Sequence, residues 1–430
     1  MTIQIGIVLA VFLIFIGLIL SGKVKIHVAA MIIPIILEVT GILEFKEAWS
    51  GLSNNSVVMM ASMFVVGAGI GKTSIISRLS KTLIKPDSSD FKIMVGITIP
   101  IILLGCFVNA TATMTIMIPM IIGICAEQKR PISKFMYGAS TLSLLWAGYF
   151  PLGGNAGSYL ANNTIVENLG GTGTFDYFTN MLVKAPAVIV LTPIIIFLVT
   201  KLAPDYGNIP AVESAASGGG EGRRKQAAMT VEQEKTAAVI FLGTIIGIIT
   251  CALTGVNTWY ASTVGAFFMV LSGAMNDREA IRAMSNPVIF ITIGTLPLAT
   301  AMKTTGADVL LADVFNRATG NLSPIMIMIL MYLISTILTQ FITNSAVNNA
   351  FKMLAALICV QNGYDSRALM LSCQEGSSNC YLTPMAAPAM TMGYEAGGYK
   401  MKDMIKMGLP LSIARFLCFV IYVPLVFPLV

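Results

Sequence analysis

The sequence predicts an all-α polytopic membrane protein made of two inverted-topology repeats, each of about five spans plus one re-entrant hairpin, with broken helices at the midplane. Three observations carry this prediction. First, the 430 residues are 56% hydrophobic and only 11% charged, with a mean hydropathy of +0.80. Soluble domains carry about 25% charged residues, whereas a bilayer span needs about 20 consecutive apolar ones. Second, the apolar runs have helical length, and the short alternating segments of an outer-membrane barrel are missing. Third, one kind of polar interruption occurs twice, about 230 positions apart, in FVNATATMTIMIP (107–119) and ITNSAVNNAFKM (342–353). Each puts an Asn and small hydroxyl residues where an uninterrupted membrane helix would carry Leu or Val. A single such stretch is explained equally well by Thr and Asn bonding two helices together, at about 1 kcal/mol per bond. Two in matching context point to a site, because polar groups at bilayer depth are costly unless they face protein or a cavity.

In chain order, residues 3–20, 26–43 and 53–71 are apolar runs that read as spans 1 to 3. The first has no basic residue before it and Lys23 and Lys25 after it. That is the reverse of a cleavable signal peptide, so it is kept as a span. Residues 73–85 form a short amphipathic piece, with Ile75, Ile76, Leu79, Leu83 and Ile84 on one helical face against Arg78, Lys81 and Lys85. It reads as a solvated helix in the interfacial plane. Residues 91–126 are apolar for nearly two spans but break at Asn109 to Thr113, with basic residues at both ends. A segment that starts and finishes on one side, with a polar middle, reads as a re-entrant hairpin whose tip lies inside the protein. Residues 135–160 form span 4, broken by PLGGNAG (151–157), where Pro and Gly free backbone groups that protein, water or an ion must satisfy. Span 5 covers 181–200. The stretch 201–235, with SGGGEGRRK inside it, has linker composition and divides the chain near its middle.

The second half, 236–430, repeats the first, 1–200. EAWSGLSNNSV from Glu47 aligns with EAIRAMSNPV from Glu279, Asn109 with Asn344, and Pro151 with Pro384, all about 230 positions apart. The matching hairpin is expected at about 322–360 and the matching broken helix at about 368–398. An odd number of crossings per half requires the second half to insert upside down. The basic residues test this independently. Loops predicted to be cytoplasmic hold twenty: Lys23, Lys25, Lys72, Arg78, Lys81, Lys85, Lys92, Lys129, Arg130, Lys134, Lys201, Arg223, Arg224, Lys225, Lys235, Arg278, Arg282, Lys400, Lys402 and Lys406. Those predicted outside hold five: Lys46, Lys184, Lys303, Arg317 and Arg367. This positive-inside bias predicts a multi-pass protein with both termini outside and the central linker cytoplasmic.

The net charge of +6 reflects those loop signals and does not imply a nucleic-acid partner. Seven Cys are scattered at no metal-ligand spacing, and His27 is the one histidine, so no haem, zinc or disulfide framework is expected. No paired Asp lies within the spans, and an intramembrane enzyme has little to work with. The chain is therefore not expected to be an enzyme, no catalytic residue is assigned, and no cofactor is expected.

Inverted repeats with broken helices and paired polar tips describe secondary transporters as a class. More specifically, the chain resembles the divalent anion/sodium symporter family, the sodium-dicarboxylate and sulfate carriers of the ion transporter superfamily. In that family each hairpin tip carries Ser-Asn-Thr followed by Ala, Thr and a later Pro, and each broken helix carries a Gly-Thr-Pro-Pro-Asn-like loop. Here the tips read Val108-Asn109-Ala110-Thr111-Ala112-Thr113 with Pro119, and Thr343-Asn344-Ser345-Ala346. The loops read Leu152-Gly153-Gly154-Asn155 and Pro384-Met385-Ala386-Ala387-Pro388. Val108 and Ala110 stand where the family has hydroxyls, Met353 where its second Pro is expected, and the family's extra first helix has no match here. The resemblance implies cation-coupled symport of a small divalent anion such as a dicarboxylate, by alternating access of elevator type, in a cell-membrane homodimer. Sodium is the implied coupling ion, held by Asn109, Gly153, Gly154, Asn344, Ala386 and Ala387. The anion is implied to lie against Asn109, Ala110, Thr111, Asn155, Thr343, Asn344, Ser345, Thr383 and Pro388. Physically, unwound backbone lets carbonyls approach a hard cation, and helix N-termini with hydroxyls donate to an anion.

Lys352, inside an apolar stretch, either pairs with an acid such as Glu375 or reaches a cavity, or else takes part in coupling by standing for a cation or facing the anion. Arg415 is read as snorkelling toward the cytoplasm. Ser377, Ser378 and Asn379 either line the site or make helix contacts. The competing readings are a cation/proton antiporter, an arsenite permease and a channel-like anion permease. An antiporter is expected to carry an acid at its broken helices, and neither 151–157 nor 384–388 has one.

Overall fold

The computed structural model describes residues 3–21, 24–73, 88–152, 155–206, 229–254, 256–307, 309–310, 322–385 and 387–429. All but Thr73 of the amphipathic piece expected at 73–85, most of the linker, and Gly153, Gly154 and Ala386 lie outside the described residues. Among the described residues the chain is helical and has no named strand, only an isolated bridge between Thr172 and Asp365.

The first half contributes α1 (Ile3–Ser21), α2 (Ile26–Val39), α3 (Asn55–Gly71), α4 (Asp90–Gly105), α5 (Ala110–Glu127), α6 (Met136–Trp146), α7 (Ser158–Leu169) and α8 (Thr179–Leu202). The second contributes α9 (Val231–Thr254), α10 (Trp259–Leu271), α11 (Asp277–Met284), α12 (Pro287–Thr305), α13 (Pro324–Thr339), α14 (Asn344–Asn362), α15 (Ser366–Ser377), α16 (Pro388–Gly397) and α17 (Met401–Val426). Among the described residues, five helical segments are long and apolar enough to cross a bilayer: α5, α8, residues 231–251 of α9, the run Asp277–Thr305, and α17. The chain is a multi-pass membrane protein.

Local sequence explains most boundaries. Asn54 caps α3 by accepting the Ser56 amide at 2.9 Å. Asn276 and Glu279 form a reciprocal capping box at the start of α11. Asp365 caps α15 at 2.8 Å. In α8, Pro193 precedes a π-helical turn over 195–199, which absorbs the missing backbone donor.

The helices pair across the two halves. α2 packs on α12 through small buried residues such as Ala29, Ala30 and Ala299, and α10 packs on α3. The arms α4 and α5 pack on α6, and the arms α13 and α14 pack on α15. The segments after each break are exchanged: α16 lies on α5 and α6, while α7 lies on α14. α8 and α17 pack on each other. Both breaks are thereby brought into the middle of the molecule.

Candidate functional site

The first polar tip is the turn between α4 and α5. Asn109 takes extended backbone at φ −71°, ψ 164°, and its side-chain oxygen accepts the Ala112 amide at 2.9 Å. It is thus the N-cap of α5, satisfying a donor that the first turn leaves orphaned. Facing it, α6 ends at Ala147, and the next α-helix, α7, begins at Ser158. The break therefore opens four residues before the PLGGNAG stretch expected to cause it. Gly148 sets that position. Its φ of +65° is strained for any other residue, and a Cβ there would fall on the Asn155 side chain. The Gly148 amide donates to the Gly105 carbonyl at 3.3 Å, so tip and break join through backbone.

The second tip is built differently. Asn344 is the first residue of α14, and its side-chain Nδ2 donates to Cys380 Sγ at 3.2 Å. Thr339 Oγ1 lies 2.8 Å from Asn344 Oδ1 and 2.7 Å from the Ser377 carbonyl. Gln340 Nε2 donates to the Asn379 carbonyl at 2.8 Å, and its Oε1 accepts the Leu382 amide at 3.2 Å. The Thr383 hydroxyl donates to the Gln340 carbonyl. Side chains lace this tip to its break, which runs from Ser378 to Ala387.

A cation sits at the start of each break. Lys184 of α8 donates to the carbonyl of Ala147, the C-cap of α6, at 3.1 Å. Arg415 of α17 donates to the carbonyl of Ser378, the C-cap of α15, at 2.9 Å. Lys184 and Arg415 are separated by the same 231 positions as Pro193 and Pro424 of those helices. Cations at helix C-termini are favoured by unpaired carbonyls and the helix dipole. Arg415 is 1% exposed and also donates to Glu375 at 2.8 Å and to the Tyr381 hydroxyl at 2.6 Å. Expectation is corrected on three points here. Arg415 does not snorkel, Glu375 belongs to Arg415 and not to Lys352, and Lys184 is a buried helix residue and not a loop residue.

Tips and breaks enclose one cavity of about 370 Å³. Four helices begin at its wall: α5 at Asn109 and Ala110, α7 at Ser158, α14 at Thr343 and Asn344, and α16 at Ala387 and Pro388. Ser158 accepts from Asn180 at 2.7 Å, and Asn180 accepts from Gln374 at 3.1 Å, which ties the two halves together across the wall. Among the described residues no Asp or Glu lines the cavity, while Lys184 and Lys352 both do. Lys352 has neither a hydrogen bond nor an ion pair among the described residues. Four positive helix ends and two ammoniums make this a place for an anion.

Of the residues singled out from sequence, Asn109, Ala110, Thr111, Asn155, Thr343, Asn344, Ser345, Lys352, Ser377, Ser378, Ala387 and Pro388 all line this cavity. Thr383, Glu375 and Asn379 do not. Thr383 is bound to Gln340, Glu375 to Arg415, and the Asn379 side chain donates to Tyr332 and to the Ser412 carbonyl. Sequence reasoning missed Lys184, Asn180, Asn348, Asn349 and Gln374. For two of them a signal existed: Ser345, Asn348, Asn349 and Lys352 follow i, i+3, i+4, i+7 spacing, a polar stripe on one face of α14.

Comparison with known proteins bears on this site. Residues 13–373 match the family described as citrate transporter. The chain belongs to the citrate transporter family. This is a transporter family of the ion transporter superfamily, not an enzyme family. An uncharacterized transporter of Synechocystis, sll0640, is 29% identical over 186 residues, which is 43% of this chain and 30% of that protein. A probable sodium/sulfate cotransporter of Chlamydomonas reinhardtii is 23% identical over 37% of this chain and 18% of that protein. The chain thus matches less than a third of the length of these curated relatives. Among solved structures, the YdaH transporter of Alcanivorax borkumensis aligns with a TM-score of 0.57 at 14% identity, covering 88% of this chain and 85% of that one. MtrF of Neisseria gonorrhoeae aligns with a TM-score of 0.59 at 16% identity, covering 85% and 80%. Citrate-family membership and this shared fold agree with the helical transporter architecture.

Proposed function

We propose that this chain is a sodium-coupled symporter of a small divalent anion, a dicarboxylate or a related polyvalent anion, working by alternating access. The carrying observation is that both polar tips, both breaks and four helix N-termini bound one cavity whose described wall has no carboxylate. An anion entering it meets amides, hydroxyls and ammoniums. A proton antiporter would place its titrating acid here, so the wall favours the symport reading over that one. Sodium is assigned to oxygens at each tip and break: Asn109, Asn344 and the Ala387 backbone, with Gly153, Gly154 and Ala386 as the remaining members of the set. The similarity to the Chlamydomonas relative, a probable sodium/sulfate cotransporter, supports sodium as the coupling ion.

The two halves are read as inverted repeats around this site. The exchange of α7 and α16 and the paired contacts α2 on α12 and α10 on α3 support that reading. The topology places the central linker in the cytoplasm and both termini outside. It puts Lys72 and Glu279, which pair at 2.7 Å, on one side of the membrane. It also puts Thr172 and Asp365, which form the isolated bridge, together on the other. Elevator movement, a homodimer and residence in the cell membrane complete the proposal.

The test is uptake of radiolabelled succinate, citrate and sulfate into proteoliposomes under an inward sodium gradient and, separately, a proton gradient. Asn109→Ala and Asn344→Ala are assayed beside the wild type. Sodium-driven uptake of one of these anions, lost in both variants, is the expected result. Uptake driven by protons alone discards the coupling ion. No uptake of any of the three overturns the proposal.

A further inference from the structure

Lys184 and Lys352 come from different halves of the chain, and each is more than nine-tenths buried, with exposures of 8% and 9%. Both line the central cavity, and no acid lines it among the described residues. The buried carboxylate of Glu375 is held by Arg415 at 2.8 Å. Lys184 spends one of its three N–H donors on the Ala147 carbonyl, and Lys352 spends none. Arg415 and Lys184 occupy equivalent places on their helices, yet of the two only Arg415 is directly ion-paired. The helix that would supply the acid in the first half, α6, reads MYGASTLSLLW and contains no Asp or Glu. Buried charges are normally paired, because an uncompensated ion in a low-dielectric interior is strongly unfavourable. Here two such charges face one cavity of about 370 Å³, within the size range of a small-molecule site.

We propose that Lys184 and Lys352 are a divided counter-charge for the transported anion, so that the cavity selects species with at least two negative charges over monoanions. The assignment rests on the anion-symport reading and names its specificity-determining residues. A monoanion neutralises one ammonium and leaves the other buried and unpaired. A di- or tricarboxylate with charged groups at both ends reaches both. With two fixed positive charges in the wall, sodium serves coupling and is not needed to neutralise a dianion.

The experiment is binding of succinate, citrate and lactate to the purified full chain in nanodiscs at fixed sodium, measured by titration calorimetry. Wild type, Lys184→Gln, Lys352→Gln and the two Lys→Arg variants are compared. Each Gln variant is expected to lose at least about tenfold in succinate or citrate affinity with little change for lactate, and the Arg variants to recover part of it. A second readout needs no variant: saturating citrate protects Lys184 and Lys352 of the wild type from amine acylation, read by mass spectrometry. Gln variants that bind succinate and citrate as tightly as the wild type overturn the assignment, and so does acylation at both lysines that citrate leaves unchanged. Wild type that binds none of the three anions overturns the anion-carrier reading and this assignment with it.

Discussion

The two tip-and-break pairs meet the same cavity by opposite means. In the first, α4 ends in Gly105 and the break opens at Gly148, so backbone touches backbone and, among the described residues, an amide-to-carbonyl bond joins them. In the second, Thr339, Gln340, Asn344 and Thr383 reach across with side chains. The cations behind the breaks differ in the same sense. Arg415 is buried and ion-paired with Glu375, with the Tyr381 hydroxyl accepting a further bond, whereas Lys184 has one carbonyl and an open cavity. The lesson is that two segments of like architecture divide the work. One is locked and electrically neutral, and the other leaves its charge for the ligand.

The largest expected effect comes from unlocking the neutral side. Glu375→Gln leaves the Arg415 guanidinium buried without its counter-ion and should lower stability by about 3–5 kcal/mol. Lys184→Met removes a buried charge that has no acid to strand and should leave stability unchanged or raise it. Thermal unfolding of both variants in detergent checks this, and equal shifts would erase the contrast. A smaller effect is expected at the lacing. Gln340→Ala strands the Asn379 carbonyl and the Leu382 amide and should cost about 2 kcal/mol, read from the same unfolding curves. The smallest is at the first tip, where Asn109→Ala deletes a helix cap worth about 1 kcal/mol. Anion uptake should fall far more than that loss of stability explains. Uptake that follows stability in proportion would make Asn109 a structural cap only.

Much of this was legible in the chain. Hydropathy named the helices, and the stretch 91–126, expected to turn back at its polar middle, holds the two helices α4 and α5, which run from Asp90 to Glu127. The stretch 322–360 likewise holds α13 and α14, from Pro324 to Asn362. Most of the tip residues chosen by their polar character do reach the cavity. The breaks were read less well because Pro and Gly attract attention wherever they cluster. In the first half it is Gly148, ahead of the cluster, whose positive φ ends the helix, and in the second the helix stops at Ser377, well before Pro384.

The sequence alone therefore determined the membrane class, the order and approximate length of the helices, and the two polar tips. All of these follow from local composition and from side chains a turn or two apart. Only the tertiary structure decided which charges are cancelled. Arg415 meets Glu375 from 40 positions away, and Lys184 meets the Ala147 carbonyl from 37. A lysine in an apolar run reads the same whether it ends a loop, pairs with an acid or faces a cavity. The helices packed around it, and the acid they bring or withhold, settle which of these it does.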